Sequence, residues 1–392
     1  MPLPLYLLAV AVFAMGTSEF MLAGLVPDIA SDLDVSVGTA GTLTSAFAAG
    51  MIVGAPLVAA LARDWPVRGS LLAFVATFAA AHAVGAVTTS FPVLFASRVV
   101  AALANAGFLA VALTAAAALV PPDRKGRALA VLLSGTTVAT VAGVPAGAAL
   151  GALSGWRATF WAVAVLCLPA ALGVVRGLPA RLAGADTAGG GGLRAELAQL
   201  KRPRLALVML LGALVNAATF ASFTFLAPVV TDTAGLDDLW IPAALVLFGA
   251  GSFLGVTLAG RLSDRRPHLV VAVGGPSALI GWSALALLAD RPPALLALVF
   301  VLGALSFALG GTLITRVLYE AAGAPTMAGS YATAALNAGA AVGPLAAGAT
   351  LGGPAGELGP LWTSAFLVLV TLLVAYPLRA ALTGGRADEA LR

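Results

Sequence analysis

Gly260-Arg261-Leu262-Ser263-Asp264-Arg265-Arg266-Pro267 has a degenerate twin 201 residues earlier, Ala59-Ala60-Leu61-Ala62-Arg63-Asp64-Trp65-Pro66. Leucine and proline keep their places, the glycine becomes alanine, and arginine stands where the acid was. The same offset pairs Pro27 with Pro228, Gly54 with Gly255, Gly151 with Gly352 and Trp161 with Trp362. A chain with 45 Gly and 23 Pro produces some matches by chance. The argument rests on the order of the matches and on a layout shared by both halves. Each half holds six long apolar spans, so the chain reads as a parallel internal repeat.

The composition is that of a membrane protein. Of 392 residues 60% are hydrophobic and 10% charged, against roughly 25% charged in a soluble domain. A crossing helix needs about 20 apolar residues. The spans expected are 4–27, 38–62, 69–89, 92–120, 127–153, 157–178, 204–229, 239–262, 268–289, 293–318, 325–351 and 358–382. This predicts an all-α membrane protein of twelve transmembrane helices in two six-helix bundles. The bundles are 1–178 and 204–392, joined by a linker over 179–203. Met1 to Phe20 lacks the basic start of a secretory signal, so the first span is expected to stay. The linker holds Gly189-Gly190-Gly191-Gly192, a flexible tether. The mixed-charge run Leu193 to Lys201 after it suits a short helix on the membrane surface.

All of the 21 Lys and Arg except Arg98, Arg157 and Arg291 fall in or beside loops after even-numbered spans, in the linker or at the tail. Cytoplasmic loops carry such an excess, which predicts that both termini are cytoplasmic. No basic face with interleaved aromatics exists, so no nucleic-acid partner is expected. The single cysteine, Cys167, and the two histidines, His82 and His268, stand apart. No intramolecular disulfide is possible, no metal site is expected, and the histidines read as structural.

Polar groups inside the spans are few and uneven. Glu19 in span 1 is the only acid well inside an apolar stretch. A charge at bilayer depth costs about 2.5–3.5 kcal/mol on insertion scales, so it marks a functional site. Burial favours the protonated carboxyl and a nearby cation the anion. A group between those pulls can load and release a proton. Its alternative is hydration near the outer surface. Arg98 begins span 4 about two turns below the same face, at a depth near that of Glu19. It either pairs with Glu19 or shares a network with it, or else snorkels to the interface. The two are the candidate proton-coupling residues.

Gly143-Val144-Pro145-Ala146-Gly147 in span 5 combines a proline bend with close-approach glycines, and Gly343-Pro344 does the same in span 11. Gly143, Pro145, Gly147, Gly343 and Pro344 are therefore candidate gating residues. Asp264 and Arg265, after span 8, are candidates for a clasp at the inner mouth. Candidate substrate-binding residues are Asn105, Thr136, Thr137, Thr140, Asn216, Phe220, Phe223, Phe307, Tyr331 and Asn337. Amides and aromatics together suit a small, uncharged aromatic ligand. The alternative for each is packing or an interhelical hydrogen bond.

With these residues quoted, the chain resembles the twelve-span drug:proton antiporters of the major facilitator superfamily. Gly260 to Arg265 looks like that family's signature loop. Gly143 to Gly147 resembles its span-5 antiporter motif, in a Gly-Val-Pro variant shared with sugar-efflux relatives. Gly155-Trp156-Arg157 with Phe160 is another mark of the family. Leu94, Arg98 and Ala106 resemble its span-4 pattern, with Ala101 and Ala102 replacing the usual Gln-Gly. Gly16-Thr17-Ser18-Glu19-Phe20-Met21, Asn105-Ala106-Gly107-Phe108 and Ser134-Gly135-Thr136-Thr137 look like the chloramphenicol exporters of actinobacteria. The resemblance implies a monomeric, proton-coupled efflux transporter in the cytoplasmic membrane that confers antibiotic resistance. It would be no enzyme, and would need no cofactor beyond the coupling proton. In that fold spans 1, 4, 7 and 10 line the cavity, which agrees with where Glu19, Arg98, Asn105 and Asn216 fall. Rival readings are a sugar or metabolite efflux permease and an uptake symporter. A membrane-bound sensor or enzyme would need a soluble domain that the loops do not supply.

Overall fold

A computed structural model describes residues 2–61, 65–121, 124–177, 193–263, 267–324 and 327–376. Asp264 and Arg265 lie outside the described residues, as does the tetraglycine tether. Regular structure among the described residues is all helical. The twelve expected spans appear as helices Leu3–Phe20, Val37–Leu61, Val67–Val87, Phe91–Ala118, Lys125–Ser154, Trp156–Gly177, Pro203–Phe223, Trp240–Ser263, Pro267–Leu288, Pro292–Glu320, Ala328–Gly348 and Gly359–Ala375, with a π segment inside span 5. Eleven candidate crossings are long and apolar enough for a membrane. Span 11, Ala328–Gly348, is the exception. Its 21 residues are mostly Ala and Gly with Ser330, Tyr331 and Asn337, which fill a tight helix interface but carry little hydropathy.

Spans 1 and 7 break alike. Span 1 ends at Phe20, tightens into a 3-10 turn over Met21–Gly24, and restarts as Val26–Asp32 with Pro27 in its first turn. Span 7 ends at Phe223 and restarts as Leu226–Pro228, passing into a π segment over Val229–Thr233. Proline lacks the N–H that a continuing helix would use, so each restart follows from the paired prolines.

The repeat extends to side-chain register. A Cβ on Gly50 would meet the Val99 carbonyl oxygen at 2.7 Å, and one on Gly54 the Leu103 Cα at 3.2 Å. Those contacts press span 2 onto span 4. A Cβ on Gly251 would overlap the Phe300 carbonyl, and one on Gly255 would lie 2.9 Å from the Ala304 Cα, pressing span 8 onto span 10. Each second-half position is its first-half counterpart plus 201. Small residues let helix backbones approach closely, which is how membrane helices gain dispersion contacts.

One large buried cluster is built mainly from the first half, around Leu5, Met15, Phe47, Phe78, Phe108 and Phe160. A second is built mainly from the other half, around Leu211, Phe248, Trp282 and Leu313. A small third cluster of Ala48, Phe220 and Ala340, with Phe20 against it, lies between them. The two ends of the bundle are called here the Asp32 end and the Glu196 end.

Along the seam, span 2 runs beside span 11 from end to end. A Cβ on Gly38 would meet the Gly348 carbonyl oxygen at 2.9 Å. The Ser45 hydroxyl donates to Ala341 O at 2.7 Å, and the Ser330 hydroxyl to Ala55 O at 3.4 Å. The Leu193–Ala198 helix is held to the second half, where Glu196 bonds to Met327 and Tyr331. Glu196 is buried, at 1% exposure, because its carboxylate accepts the Met327 N–H at 3.0 Å where span 11 begins. A carboxylate there meets an orphan N–H and the positive end of the helix dipole.

Candidate functional site: a buried arginine beside an aromatic seam

Arg98 is 1% exposed and is the largest of the fully buried side chains among the described residues. It does not snorkel. Its Nη1 donates to the Ser18 hydroxyl at 2.7 Å and its Nη2 to the Ser18 carbonyl at 2.9 Å. The guanidinium carbon lies 4.5 Å from the centre of the Phe47 ring, a cation–π contact that compensates part of the lost hydration. Nε, also buried, has no hydrogen-bond partner. Glu19 follows Ser18 in the chain and is half-buried. Its carboxylate and the guanidinium are close enough to interact electrostatically, yet no direct hydrogen bond joins them. Arg98 spends its two terminal nitrogens on the neighbouring residue.

His82 of span 3 completes the cluster. Its Nδ1 lies 2.8 Å from Phe78 O and its Nε2 lies 2.7 Å from the Ser18 hydroxyl. The ring packs between Phe78, at 4.3 Å, and Phe160, at 5.7 Å. The sequence offered Glu19 and Arg98 as charges in apolar spans. Ser18 and His82 were not legible as partners, because 64 and 80 residues separate Ser18 from His82 and Arg98. The available signal was a lone histidine in an otherwise apolar span.

On the other side of Glu19, Phe20 crosses the seam. Its ring stacks on Phe220 at 5.6 Å and 28° and meets Phe223 edge-on at 6.2 Å. Phe223 continues to Phe248 at 4.6 Å, and Phe248 to Phe307 at 6.1 Å. Three of the expected substrate-binding residues thus form one aromatic chain with Phe20 and Phe248, which the sequence did not single out.

The other candidates scatter. Thr136 packs beside Gly16, where a Cβ would lie 3.4 Å from the Thr136 Cα. Thr137 is half-buried and accepts the Thr140 hydroxyl at its carbonyl, 2.9 Å away. Asn216 donates to Leu336 O at 2.7 Å, tying span 7 to span 11. Asn337 donates to Thr333 O within its own helix, at 3.0 Å. Asn105 is buried with its amide 3.6 Å from the Met51 sulfur. Tyr331 is far from the aromatic chain in role: its hydroxyl donates to Glu196 O at 2.8 Å, so it anchors the linker helix.

The gating candidates divide similarly. Span 5 carries a π segment over Ala139–Gly143, directly before the Pro145 turn. Gly143 admits Thr17 of span 1, and Gly147 faces Thr159 of span 6, whose hydroxyl donates to Gly147 O at 2.8 Å. Gly343 faces Ala217 of span 7, and Pro344 is buried in the same helix. All of these join helices of the same half. A close approach of spans 5 and 8 across the seam is made by Gly249 of span 8, where a Cβ would lie 3.0 Å from the Val141 Cα. At the Asp32 end, Gly155 turns the chain at φ +81°. Arg157 pairs with Asp32 and donates to Thr88 O at 3.0 Å, while Trp156 Nε1 donates to Asp32 at 3.2 Å. Across the seam at that end, a cavity of about 100 Å³ is lined by Asp28 and Ala148 from one half and Thr231, Asp238 and Ile241 from the other. Burial, and then the Asp238 charge, push the Asp28 carboxyl above its ordinary range.

Two repeated helix bundles with a buried charge cluster beside their seam define a multi-pass membrane transporter. Residues 8–335 match the Major Facilitator Superfamily, and the chain belongs to it. It is 78% identical to the chloramphenicol resistance protein of Streptomyces lividans over 392 residues, the full length of both. It is 33% identical over 348 residues to the inner membrane transport protein YdhP of Escherichia coli (strain K12), covering 89% of this chain and 88% of that protein. A crystal structure of a bacterial homolog to the human lysosomal transporter Spinster, inward-facing and unoccupied, superposes with a TM-score of 0.75. That likeness spans 95% of both chains at 18% identity and is one of fold.

Proposed function

We propose that this protein exports chloramphenicol across the cytoplasmic membrane in exchange for protons, by alternating access, and so confers resistance. The full-length identity to the Streptomyces lividans protein carries the choice of drug. The charge cluster at Arg98 supports the coupling. In this reading all twelve helices cross the bilayer, both termini and the Glu196 end are cytoplasmic, and the chain works as a monomer without enzymatic activity or a cofactor other than the proton. Span 11 crosses despite its low hydropathy because it is packed between span 2 and span 7.

Glu19 carries the proton. Arg98, held one residue away, favours the anion, and burial favours the acid. Drug entering beside Phe20, Phe220 and Phe223 competes with the protonated state. Opening toward the outside releases the drug and reloads Glu19. Chloramphenicol is neutral, so exchange for one proton moves charge inward, and the membrane potential adds about 2.3 kcal/mol per 100 mV to the pH gradient.

The test is accumulation of radiolabelled chloramphenicol in susceptible cells expressing the chain, before and after a protonophore. Low accumulation that rises when the gradient collapses is the expected result. Accumulation equal to that of empty-vector cells throughout, with the protein in the membrane, would remove chloramphenicol as substrate.

A further inference from the structure

His82 is buried, at 1% exposure, in the last third of an apolar helix, and ordinary packing would be served better by a leucine. What it does is set the direction of a hydrogen-bond chain. Nδ1 faces the Phe78 carbonyl, which can only accept, so Nδ1 carries the hydrogen. In the neutral ring Nε2 is then an acceptor, and the Ser18 hydroxyl must donate to it. With its hydrogen committed to His82, the Ser18 oxygen turns its lone pairs to Arg98 Nη1. The order runs from guanidinium to hydroxyl to imidazole to carbonyl.

We propose that His82 is a positioning residue for proton coupling, acting through the Ser18 hydroxyl to hold the Arg98 guanidinium beside Glu19. This rests on the reading of Glu19 as the proton carrier. Span 4 faces Glu19 with Arg98, and span 3 brings His82 to the cluster. Span 6 faces His82 with Phe160, whose ring lies 5.7 Å away. Spans 2, 5, 7 and 8 place no Asp, Glu, Lys, Arg or His at this depth among the described residues. Arg98 is thus the charge set against Glu19, and its placement decides how tightly the carboxyl keeps a proton. Without His82, the Ser18 hydroxyl is free to turn to a carbonyl of its own helix. Arg98 then keeps only the Ser18 carbonyl as an acceptor of fixed direction.

The experiment reads Glu19 directly. The protonated-carboxyl stretch of purified, lipid-reconstituted protein is followed by infrared difference spectroscopy against pH, without drug. The Glu19 band is assigned by its absence in Glu19→Gln. His82→Leu and Ser18→Ala should each move the midpoint upward by about one pH unit. His82→Gln, which keeps an acceptor for Ser18, should return most of that shift. A purely structural histidine would change the amount of folded protein and leave the midpoint where it was. If His82→Leu does not fold, Ser18→Ala, which removes one oxygen atom, carries the test alone. An unmoved midpoint in Ser18→Ala overturns the inference. A Glu19 that never titrates in the wild-type protein overturns both it and the proton-coupling reading. Because the band is read without drug, failure of chloramphenicol export cannot imitate either result.

Discussion

Phe20 and Phe220 stack across the seam at a ring separation of 5.6 Å, one residue from Glu19 on the first-half side. The proposed proton site and the aromatic seam therefore share one short stretch of span 1: Ser18 holds the arginine, Glu19 supplies the carboxyl and Phe20 meets the other half. A movement that parts the rings also moves the backbone that positions Arg98.

The first prediction concerns that stack. Aromatic pairs contribute about 0.5–1.5 kcal/mol beyond the area they bury. Phe220→Ala should weaken chloramphenicol binding by roughly tenfold, the equivalent of about 1.4 kcal/mol, while Phe220→Tyr retains most of it. Binding to detergent-solubilised protein measures this, and unchanged affinity in Phe220→Ala would place the drug elsewhere.

Glu19→Gln should abolish accumulation against a gradient. A neutral amide cannot exchange a proton, so the pH gradient has no differential hold on the two states. Downhill drug movement should persist in proteoliposomes. Export with wild-type pH dependence in this variant would refute the coupling role.

Two glycines in span 8 should separate stability from transport. Gly255 presses on Ala304 within one half, and overpacking there costs roughly 1–3 kcal/mol. Gly255→Val should lower the melting temperature. Gly249 meets Val141 across the seam. Gly249→Ala should disfavour this closed arrangement of spans 5 and 8, altering transport rate with a smaller change in melting temperature. Thermal scans alongside vesicle transport distinguish the pair.

The Asp28 carboxyl is raised in this arrangement, first by burial and then by Asp238. A raised carboxyl contributes stability when protonated, and that contribution is lost as pH rises through the raised value. The closed seam at the Asp32 end should therefore loosen as pH rises from the ordinary carboxylate range through the raised value. Asp238→Asn removes the repelling charge and should flatten this dependence, as read from melting temperature across a pH series. Equal slopes in the variant and the wild-type protein would show that the two carboxylates do not communicate.

Glu196→Ala should free the linker helix from the start of span 11. A buried hydrogen bond to a charged group contributes about 1.5–3 kcal/mol. Amide hydrogen exchange over 193–201 should accelerate while that of span 7 does not, which locates the loss at the Met327 N–H.

Hydropathy and the 201-residue offset made the spans and the two-half repeat legible, because crossing a bilayer is decided locally, by about 20 residues at a time. Glu19 and Arg98 stood out for the same reason: charge is costly in an apolar run wherever its partner lies. Span 11 was legible as a helix, although its Ala and Gly are chosen for close packing and not for lipid.

Partnership was decided by tertiary structure alone. Tyr331 and Phe220 look equivalent in sequence, yet one anchors the linker helix through Glu196 and the other closes the seam. Gly343 and Gly249 look equally suited to gating, yet one faces its own half and the other crosses. Arg98 could have paired with Glu19, reached for the interface, or bonded to Ser18. It bonds to Ser18 because the packing of spans 1, 3 and 4 brings a hydroxyl and an imidazole, 80 and 16 residues away in sequence, within hydrogen-bond reach of one another. Short-range pattern sets which segments enter the membrane; the rotation of each helix about its axis, settled only when all of them pack, sets which atoms meet.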